Sequence, residues 1–197
     1  MDIFISGSGL LVLSPLFLTL TIIVKATSPG PVFYRGNRVG RNGIPFEMLK
    51  FRSMVPDAEK LGGTSTPDDD NRITGIGKFM RRFKLDEFPQ LINVLRGEMS
   101  LVGPRPQVKQ DVDKYTVEEQ AILSVRPGIT DWASIRFANE GEILKGEPDP
   151  DEAYIRLIRP EKLRLGLEYV RRQSPATDIK ILWMTFKRLL GRKVELP

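Results

Sequence analysis

Two adjacent carboxylates, Asp86 and Glu87, are the side chains of this chain best suited to chemistry. The 197 residues include no His and no Cys, so acid–base or nucleophilic chemistry must use carboxylates, Lys, Tyr or hydroxyl groups. The same composition excludes disulfides and thiolate metal sites. A metal site would have only oxygen ligands, which favour a hard cation such as Mg²⁺.

Local chemistry alone leaves the role of this pair open. Asp86 and Glu87 follow a basic stretch that includes Arg81, and they precede Pro89, which fits the first position of a helix ending near Gly97. Negative charge is favourable at a helix N-terminus, so the pattern is typical of a helix cap with salt bridges. It is also compatible with a carboxylate site that handles phosphate, although the cap is the favoured interpretation from these residues alone.

Two proline-flanked arginines are candidates for phosphate binding. Arg105 lies between Pro104 and Pro106, whose rings restrict the backbone, and a guanidinium on a stiff loop suits bidentate binding of phosphate. The same segment is also compatible with a plain rigid turn that has no binding role. Arg126 repeats the pattern more weakly. The excess of 30 basic over 25 acidic residues also favours anionic partners, but no nucleic-acid motif is recognisable.

The N-terminal segment Ile3–Val24 carries no charge and is mostly apolar, which is typical of a membrane segment. As a straight helix it would extend about 33 Å, enough to cross a hydrocarbon core of roughly 30 Å. Ser14-Pro15 predicts a break in the middle of the helix. A kinked spanning helix and a hairpin that re-enters the same leaflet both fit. The basic residues that follow favour a cytoplasmic main domain.

The middle of the chain predicts a small α/β unit. Val32–Val39 and Ile44–Phe51 are typical of strands, and Asn42-Gly43 indicates a hairpin turn between them. Two roles are open for the basic side chains of this hairpin. They could contact an anionic group, which would be a lipid headgroup or a nucleotide, or they could lie on a solvated strand face. Met54–Lys60 suggests a short helix. Leu61–Asn71 is a polar loop, and its run of three Asp residues is interpreted as solvated loop, not as a cation site.

Two amphipathic helices are predicted on either side of the central motifs. From Ile73 the spacing becomes helical, and one apolar stripe is expected to face the core or a membrane; it comprises Ile73, Ile76, Phe79, Met80 and Phe83. Asp178–Leu190 has a second apolar face, formed by Ile179, Leu182, Trp183, Phe186, Leu189 and Leu190. This helix either lies in a membrane interface, with Trp183 at headgroup depth, or docks on the protein core.

These segments, in this order, carry a resemblance to a known family. They are the apolar N-terminus with Ser14-Pro15, SPGPVFYRGNRVG, KFRSM at 50–54, RRFKLDEFPQLINVLRGEMSLVGPRP at 81–106 and RPGITDWASI at 126–135. The chain resembles the bacterial sugar transferases, the monotopic phosphoglycosyl transferases, over nearly its whole length and most closely their minimal members. The central similarity is long and free of gaps.

The resemblance implies transfer of a sugar-1-phosphate from a nucleotide diphosphate sugar, normally a UDP-sugar, to a polyprenyl phosphate, with release of UMP. It implies that Asp86 is the nucleophile and forms a covalent sugar-phosphoryl aspartate. Glu87 falls on the residue linked to metal binding and catalysis, so the implied Mg²⁺ would be bound by Asp86 and Glu87. Arg81 and Arg105 fall on positions near the phosphates, and Arg126 is assigned less securely to the nucleotide.

The resemblance also implies a location at the bacterial inner membrane, on its cytoplasmic face. Residues 1–27 would form a re-entrant membrane helix broken at Ser14-Pro15, and residues 28–197 a mostly helical α/β catalytic domain lying on membrane lipids. A membrane-anchored assembly module in which Asp86-Glu87 only caps a helix stays as the alternative. The sequence does not indicate the sugar, the glycan pathway or the oligomeric state.

Overall fold

The computed structural model describes residues 1–63, 65–192 and 194. Helices predominate, and the strands form two small sheets, β1-β2 and β3-β4, as expected for a mostly helical α/β chain with a hairpin. The helices are α1 (Asp2–Val12), α2 (Ser14–Thr27), α3 (Gly75–Arg82), α4 (Gln90–Leu95), α5 (Lys109–Val112), α6 (Trp132–Arg136), α7 (Glu140–Ile143), α8 (Pro150–Leu157), α9 (Arg159–Arg172) and α10 (Pro175–Leu189); the strands are β1 (Phe33–Val39), β2 (Pro45–Phe51), β3 (Ser100–Val102) and β4 (Gly128–Thr130).

The chain divides into two compact units, each built from three segments. The first unit comprises residues 1–36, 48–95 and 139–154, and the second comprises residues 37–47, 96–138 and 155–197. Both apolar N-terminal helices belong to the first unit. The expected boundary at residue 27 concerns insertion into a membrane, and it stays a prediction.

Helices α1 and α2 are bent by 64° relative to each other at a break between Val12 and Ser14. Pro15 occupies the first turn of α2, and the Ser14 hydroxyl donates to the Leu11 carbonyl at 2.8 Å, so the break lies where the sequence predicts it. Among the described residues no single helix has the length and hydropathy to span a membrane, whereas this bent pair passes that test when taken together. Re-entry into a membrane stays a prediction.

The core of the first unit joins α2, α3 and the base of the hairpin. Leu20, Val24, Phe51 and Met80 are buried together, and the rings of Phe17 and Phe51 lie 4.8 Å apart. The buried Arg52 guanidinium donates to the carbonyls of Ser28, at 2.6 Å, and Pro31. Arg52 therefore fixes the segment after α2 and does not lie on a solvated strand face.

The β1-β2 hairpin confirms the predicted strands and turn. Asn42 and Gly43 both adopt positive φ, 57° and 77°, and the Gly40 amide donates to the Ile44 carbonyl at 2.8 Å. The helix predicted over Met54–Lys60 is wrong for its first part. Met54 forms an antiparallel bridge with Ile73, and only Ala58–Leu61 forms a 3₁₀ turn.

The second unit contains a parallel strand pair that the sequence analysis did not predict. Ser100 pairs with Gly128 and Val102 with Thr130, and each strand has only three residues, too few for a periodic pattern. The Tyr169 hydroxyl donates to Asp178 Oδ1 at 2.8 Å and ties α9 to α10. The Tyr169 hydroxyl also lies 3.2 Å from the Val102 carbonyl oxygen, so α9 contacts the end of β3 directly before the proline-flanked loop.

Candidate active site

Helix α3 positions Arg81 through a close backbone contact at its first turn. The helix begins after Thr74, whose hydroxyl oxygen accepts from the Gly77 amide at 3.0 Å, and so Ile73 lies outside it, contrary to the predicted start. A Cβ at Gly77 would lie 1.9 Å from the Ser53 carbonyl oxygen, so only glycine permits this approach. Arg81 then lies in the last turn of the helix.

Asp86 and Glu87 lie in a 3₁₀ turn, Leu85–Glu87, that leads into α4. The chain reaches this turn through Lys84, which adopts a left-handed conformation with φ 56°. Helix α4 begins at Gln90, one residue after the predicted Pro89, and Gly97 with φ 77° follows its end as expected. The two carboxylates therefore precede a short helix, as the sequence predicts.

The Asp86 carboxyl group is buried, with only 5% of the residue exposed. Its Oδ1 atom has no hydrogen-bond partner among the described residues. Burial raises the pKa of Asp86, and the neighbouring Glu87 raises it further, whereas the charges of Lys50, Arg81 and Lys84 lower it. A buried carboxyl group with a displaced pKa among cations is typical of a functional site.

Glu87 is held by a partner that the sequence analysis did not single out. Lys50 Nζ, from strand β2, lies 3.0 Å from Glu87 Oε1, and both side chains are largely buried. In the sequence, Lys50 is one of several basic residues of the hairpin and has no pattern of its own. Its place in the segment KFRSM at 50–54, which contributes to the family resemblance, was the available signal. Lys50 is thus a further candidate site residue.

The polar loop before α3 is ordered by Arg72. The Arg72 guanidinium binds both carboxylate oxygens of Asp70, at 2.6–3.0 Å, and donates to the carbonyls of Gly62 and Gly63. The Arg72 guanidinium holds the pKa of Asp70 below its usual range, and the charge of Arg81 contributes in the same direction. Asp70 is therefore a partly buried ion-pair residue, so the Asp68–Asp70 run is a loop as predicted but is not solvated at this position.

The second unit contains the two proline-flanked arginines. The Gly128 amide donates to the Pro104 carbonyl at 3.1 Å, and the Ser100 amide donates to the Pro127 carbonyl at 2.8 Å. These bonds join the backbone segments that carry Arg105 and Arg126. The structure thus places Arg81, Asp86 and Glu87 in the first unit and Arg105 and Arg126 in the second.

Asp131 lies directly after β4 in the second unit and is buried. Its Oδ1 accepts from the Ser134 amide at 2.7 Å and caps α6. Burial raises the pKa of Asp131, while the charges of Arg105 and Lys162 lower it. The sequence analysis passed over this residue because a single Asp before a helix is an ordinary cap.

Comparison with known proteins decides the family. The sequence model of the bacterial sugar transferase family matches residues 1–192 of this chain. The chain belongs to this family. Among curated sugar transferases, it is 39% identical to the UDP-glucose:undecaprenyl-phosphate glucose-1-phosphate transferase of Escherichia coli (strain K12), over 97% of this chain and 40% of the relative.

Other relatives within the sugar transferase family are named for different sugars or products. The chain is 35% identical to the UDP-N-acetylgalactosamine-undecaprenyl-phosphate N-acetylgalactosaminephosphotransferase of Aeromonas hydrophila, over 96% of this chain and 43% of the relative. It is 37% identical to the exopolysaccharide production protein ExoY of Sinorhizobium fredii (strain NBRC 101917 / NGR234), over 71% of this chain and 68% of the relative. The chain thus spans about two-fifths of the length of the first two relatives.

Proposed function

We propose that this chain transfers a sugar-1-phosphate from a UDP-sugar to a polyprenyl phosphate and releases UMP. The observation that carries the proposal is the buried Asp86 carboxyl group beside the Lys50–Glu87 ion pair. Membership of the sugar transferase family, and relatives named as undecaprenyl-phosphate sugar phosphotransferases, support the substrate classes. Since those names include both glucose and N-acetylgalactosamine, they do not specify the sugar.

In the first step, an Asp86 oxygen attacks the β-phosphorus of the UDP-sugar. A carboxylate–phosphorus bond forms, and the bond from the β-phosphorus to the bridging oxygen breaks. UMP leaves with that oxygen and its electron pair, so this leaving group needs no proton. The enzyme retains the sugar-1-phosphate as an acyl phosphate on Asp86.

In the second step, an oxygen of the polyprenyl phosphate attacks the same phosphorus atom. The new phosphorus–oxygen bond forms the polyprenyl diphosphate sugar, and the bond to Asp86 breaks and regenerates the carboxylate. The chain has no His or Cys to act as a nucleophile, so in this scheme a carboxylate carries the phosphoryl group between two successive displacements at one phosphorus atom.

The cations around Asp86 support this chemistry. Lys50, Arg81 and Lys84 all favour the charged form of Asp86, which is the form that attacks phosphorus. The same cations are expected to stabilise negative charge on the phosphoryl oxygens during the displacement. Arg105 and Arg126 stay candidates for phosphate binding, because each lies in a backbone segment stiffened by proline and by hydrogen bonds between β3 and β4.

The residues at this site fit a magnesium ion. Mg²⁺ in phosphate-transfer sites is usually bound by one or two carboxylates together with substrate phosphates, and Asp86 and Glu87 supply two adjacent carboxylates. Carboxylate oxygens are the donors that a hard cation prefers, so the chemistry of these two side chains suits the ion. When bound, the ion would neutralise the diphosphate and favour departure of UMP. Among the described residues no group of three acidic side chains offers a metal site elsewhere.

The apolar surface of the first unit supports action on a membrane lipid, and the basic residues that follow the apolar segment favour the cytoplasmic face of the inner membrane. Phe4, Leu11, Leu18 and Ile22 of α1 and α2 are each at least 60% exposed. The stripe predicted on α3 divides, since Met80 enters the core and Phe79 remains half-exposed, as does Phe83. These apolar side chains are compatible with insertion of the bent helix pair into one leaflet.

Release of UMP tests the proposed function directly. The purified chain in vesicles containing undecaprenyl phosphate is incubated with Mg²⁺ and each of a panel of UDP-sugars, and UMP is measured. We expect release with at least one donor, accompanied by a lipid-linked sugar diphosphate. Absence of release with every donor would favour the alternative of a non-catalytic assembly module.

A further inference from the structure

The residues from Asp86 to the end of α4 bury one continuous face. The buried positions are Asp86, Pro89, Gln90, Asn93 and Val94. Their spacing of three, four, seven and eight residues is that of a single helical face. Asp86, in the 3₁₀ turn, and Gln90, the first residue of α4, are therefore four residues apart on one buried side of this segment, a spacing at which side chains on a helix can interact.

The two amides on this face differ in their hydrogen bonding. Gln90 and Asn93 are both completely buried. The Asn93 Oδ1 atom accepts from the Leu49 amide at 2.9 Å, which explains its burial as a structural link to β2. By contrast, neither Nε2 nor Oε1 of Gln90 has a hydrogen-bond partner among the described residues.

A buried amide without partners is unfavourable for folding, because its desolvation is not compensated. An apolar side chain of the same length at position 90 would avoid that penalty. A glutamine in this position is therefore better explained by a role at the neighbouring carboxylate than by packing.

The unpartnered atoms of Gln90 and Asp86 are chemically complementary. Asp86 Oδ1 is buried and, within the described residues, accepts no hydrogen bond, whereas the Gln90 amide has two N–H donors to offer. A hydrogen bond to a carboxylate is stronger than one between neutral groups, and glutamine–aspartate pairs one turn apart form such bonds on helices.

We infer that Gln90 is a positioning residue for the nucleophile: its Nε2–H group donates to Asp86 Oδ1 and leaves Oδ2 to attack phosphorus. This inference rests on the proposed function. Gln90 does not touch the substrate. It fixes the rotation of the Asp86 carboxylate, so that the attacking oxygen is aligned with the bond that breaks.

Gln90→Met tests this role, because methionine has a similar length and flexibility but no donor. We expect kcat for UMP release to fall roughly ten- to hundredfold, the loss of one hydrogen bond to a charged group, with the KM of the UDP-sugar unchanged. The thermal unfolding midpoint should stay the same or rise, because an uncompensated buried amide is removed. A structural role for Gln90 predicts the opposite change in the midpoint.

Asn93→Leu is the matched control, since it removes a buried amide that has a partner. This variant should unfold at a lower temperature and, while folded, keep the wild-type kcat. The inference is overturned if Gln90→Met keeps the wild-type kcat, changes only KM, or loses activity together with a lower midpoint. If the wild type itself releases no UMP with any donor, the proposed function fails instead.

Discussion

Lys50 Nζ, on strand β2, lies 3.0 Å from Glu87 Oε1. This ion pair gives Glu87 a different environment from that of Asp86, although the two adjacent carboxylates look equivalent in the sequence. Glu87 has a cation as its direct partner, whereas Asp86 is buried with one unpartnered oxygen and a raised pKa. We therefore propose Asp86 as the nucleophile and the Lys50–Glu87 pair as the groups that organise charge beside it.

Lys50→Gln is expected to slow UMP release at neutral pH by roughly tenfold or more. The positive charge of Lys50 lowers the pKa of Asp86, so its removal raises that pKa and leaves less of the attacking carboxylate. The acidic limb of the pH–rate profile for kcat/KM should move to higher pH. Lys50→Arg keeps the charge and should leave the limb near its wild-type position; an unmoved limb in Lys50→Gln would contradict the assignment.

Asp86→Asn is expected to make the folded protein more stable at neutral pH. Because burial raises the pKa of Asp86 above its unfolded value, the folded state favours the protonated form, and wild-type stability falls as pH rises through the folded pKa. The amide does not ionise, so the variant escapes this loss. Urea unfolding should show an advantage at pH 7 that shrinks as pH falls through the raised folded-state pKa and is lost near pH 4, the range of an unperturbed Asp. Equal stability at pH 7 would argue against a destabilised carboxylate.

The sequence predicted the parts of the fold that have strong local signals. Asn42-Gly43 identified the hairpin, Ser14-Pro15 the helix break, and Gly97 the end of α4. Three local predictions were wrong in part because tertiary contacts decided the structure. Met54 and Ile73 pair with each other and leave their predicted helices, and the Asp70 carboxylate is paired with Arg72 instead of solvated.

The site was predicted as a list of residues, not as an arrangement. The Asp86-Glu87 pair and its place before α4 followed from the sequence, whereas Lys50 is 37 residues away from Glu87 in the chain and no local pattern links them. The buried amide of Gln90 looked like part of an ordinary helix. Long-range contacts and unpartnered buried atoms are properties of the packed chain, so single-sequence reasoning did not reveal them.

Gly77→Ala is expected to destabilise the first unit by about 1–3 kcal/mol, because the added Cβ would lie 1.9 Å from the Ser53 carbonyl oxygen and force the backbone apart. Gly75→Ala is the control within the same helix. A Cβ at Gly75 meets nothing within 4 Å, so this change should stabilise by about 0.5 kcal/mol through lower unfolded-state entropy. Chemical unfolding measures both; similar values for the two variants would contradict the close contact.

The outer face of α10 is expected to bind membranes. Trp183 is 56% exposed and Phe186 53%, while the helix docks on its own unit through Ile181 and Met184. The helix therefore docks on the core of its unit, but through a face other than the predicted apolar one, which stays largely exposed. A Trp183→Ser, Phe186→Ser double variant should lose at least half of its flotation with anionic vesicles and keep its unfolding midpoint.

Ile181→Ser provides the contrasting control for that experiment. Ile181 is completely buried, so this change should lower the free energy of unfolding by about 2–4 kcal/mol. If the exposed-face double variant floats with vesicles as well as the wild type does, α10 is not a membrane contact.

The most direct test of the account is capture of the covalent intermediate. Wild-type protein is mixed with Mg²⁺ and the UDP-sugar that supports UMP release, without polyprenyl phosphate, and the intact mass is measured after rapid quenching. We predict a mass increase equal to one sugar-1-phosphoryl group, located on Asp86 by peptide analysis, lost on addition of polyprenyl phosphate and absent from Asp86→Asn. An adduct on another residue, or wild-type turnover by Asp86→Asn, would contradict the assignment of Asp86 as the nucleophile.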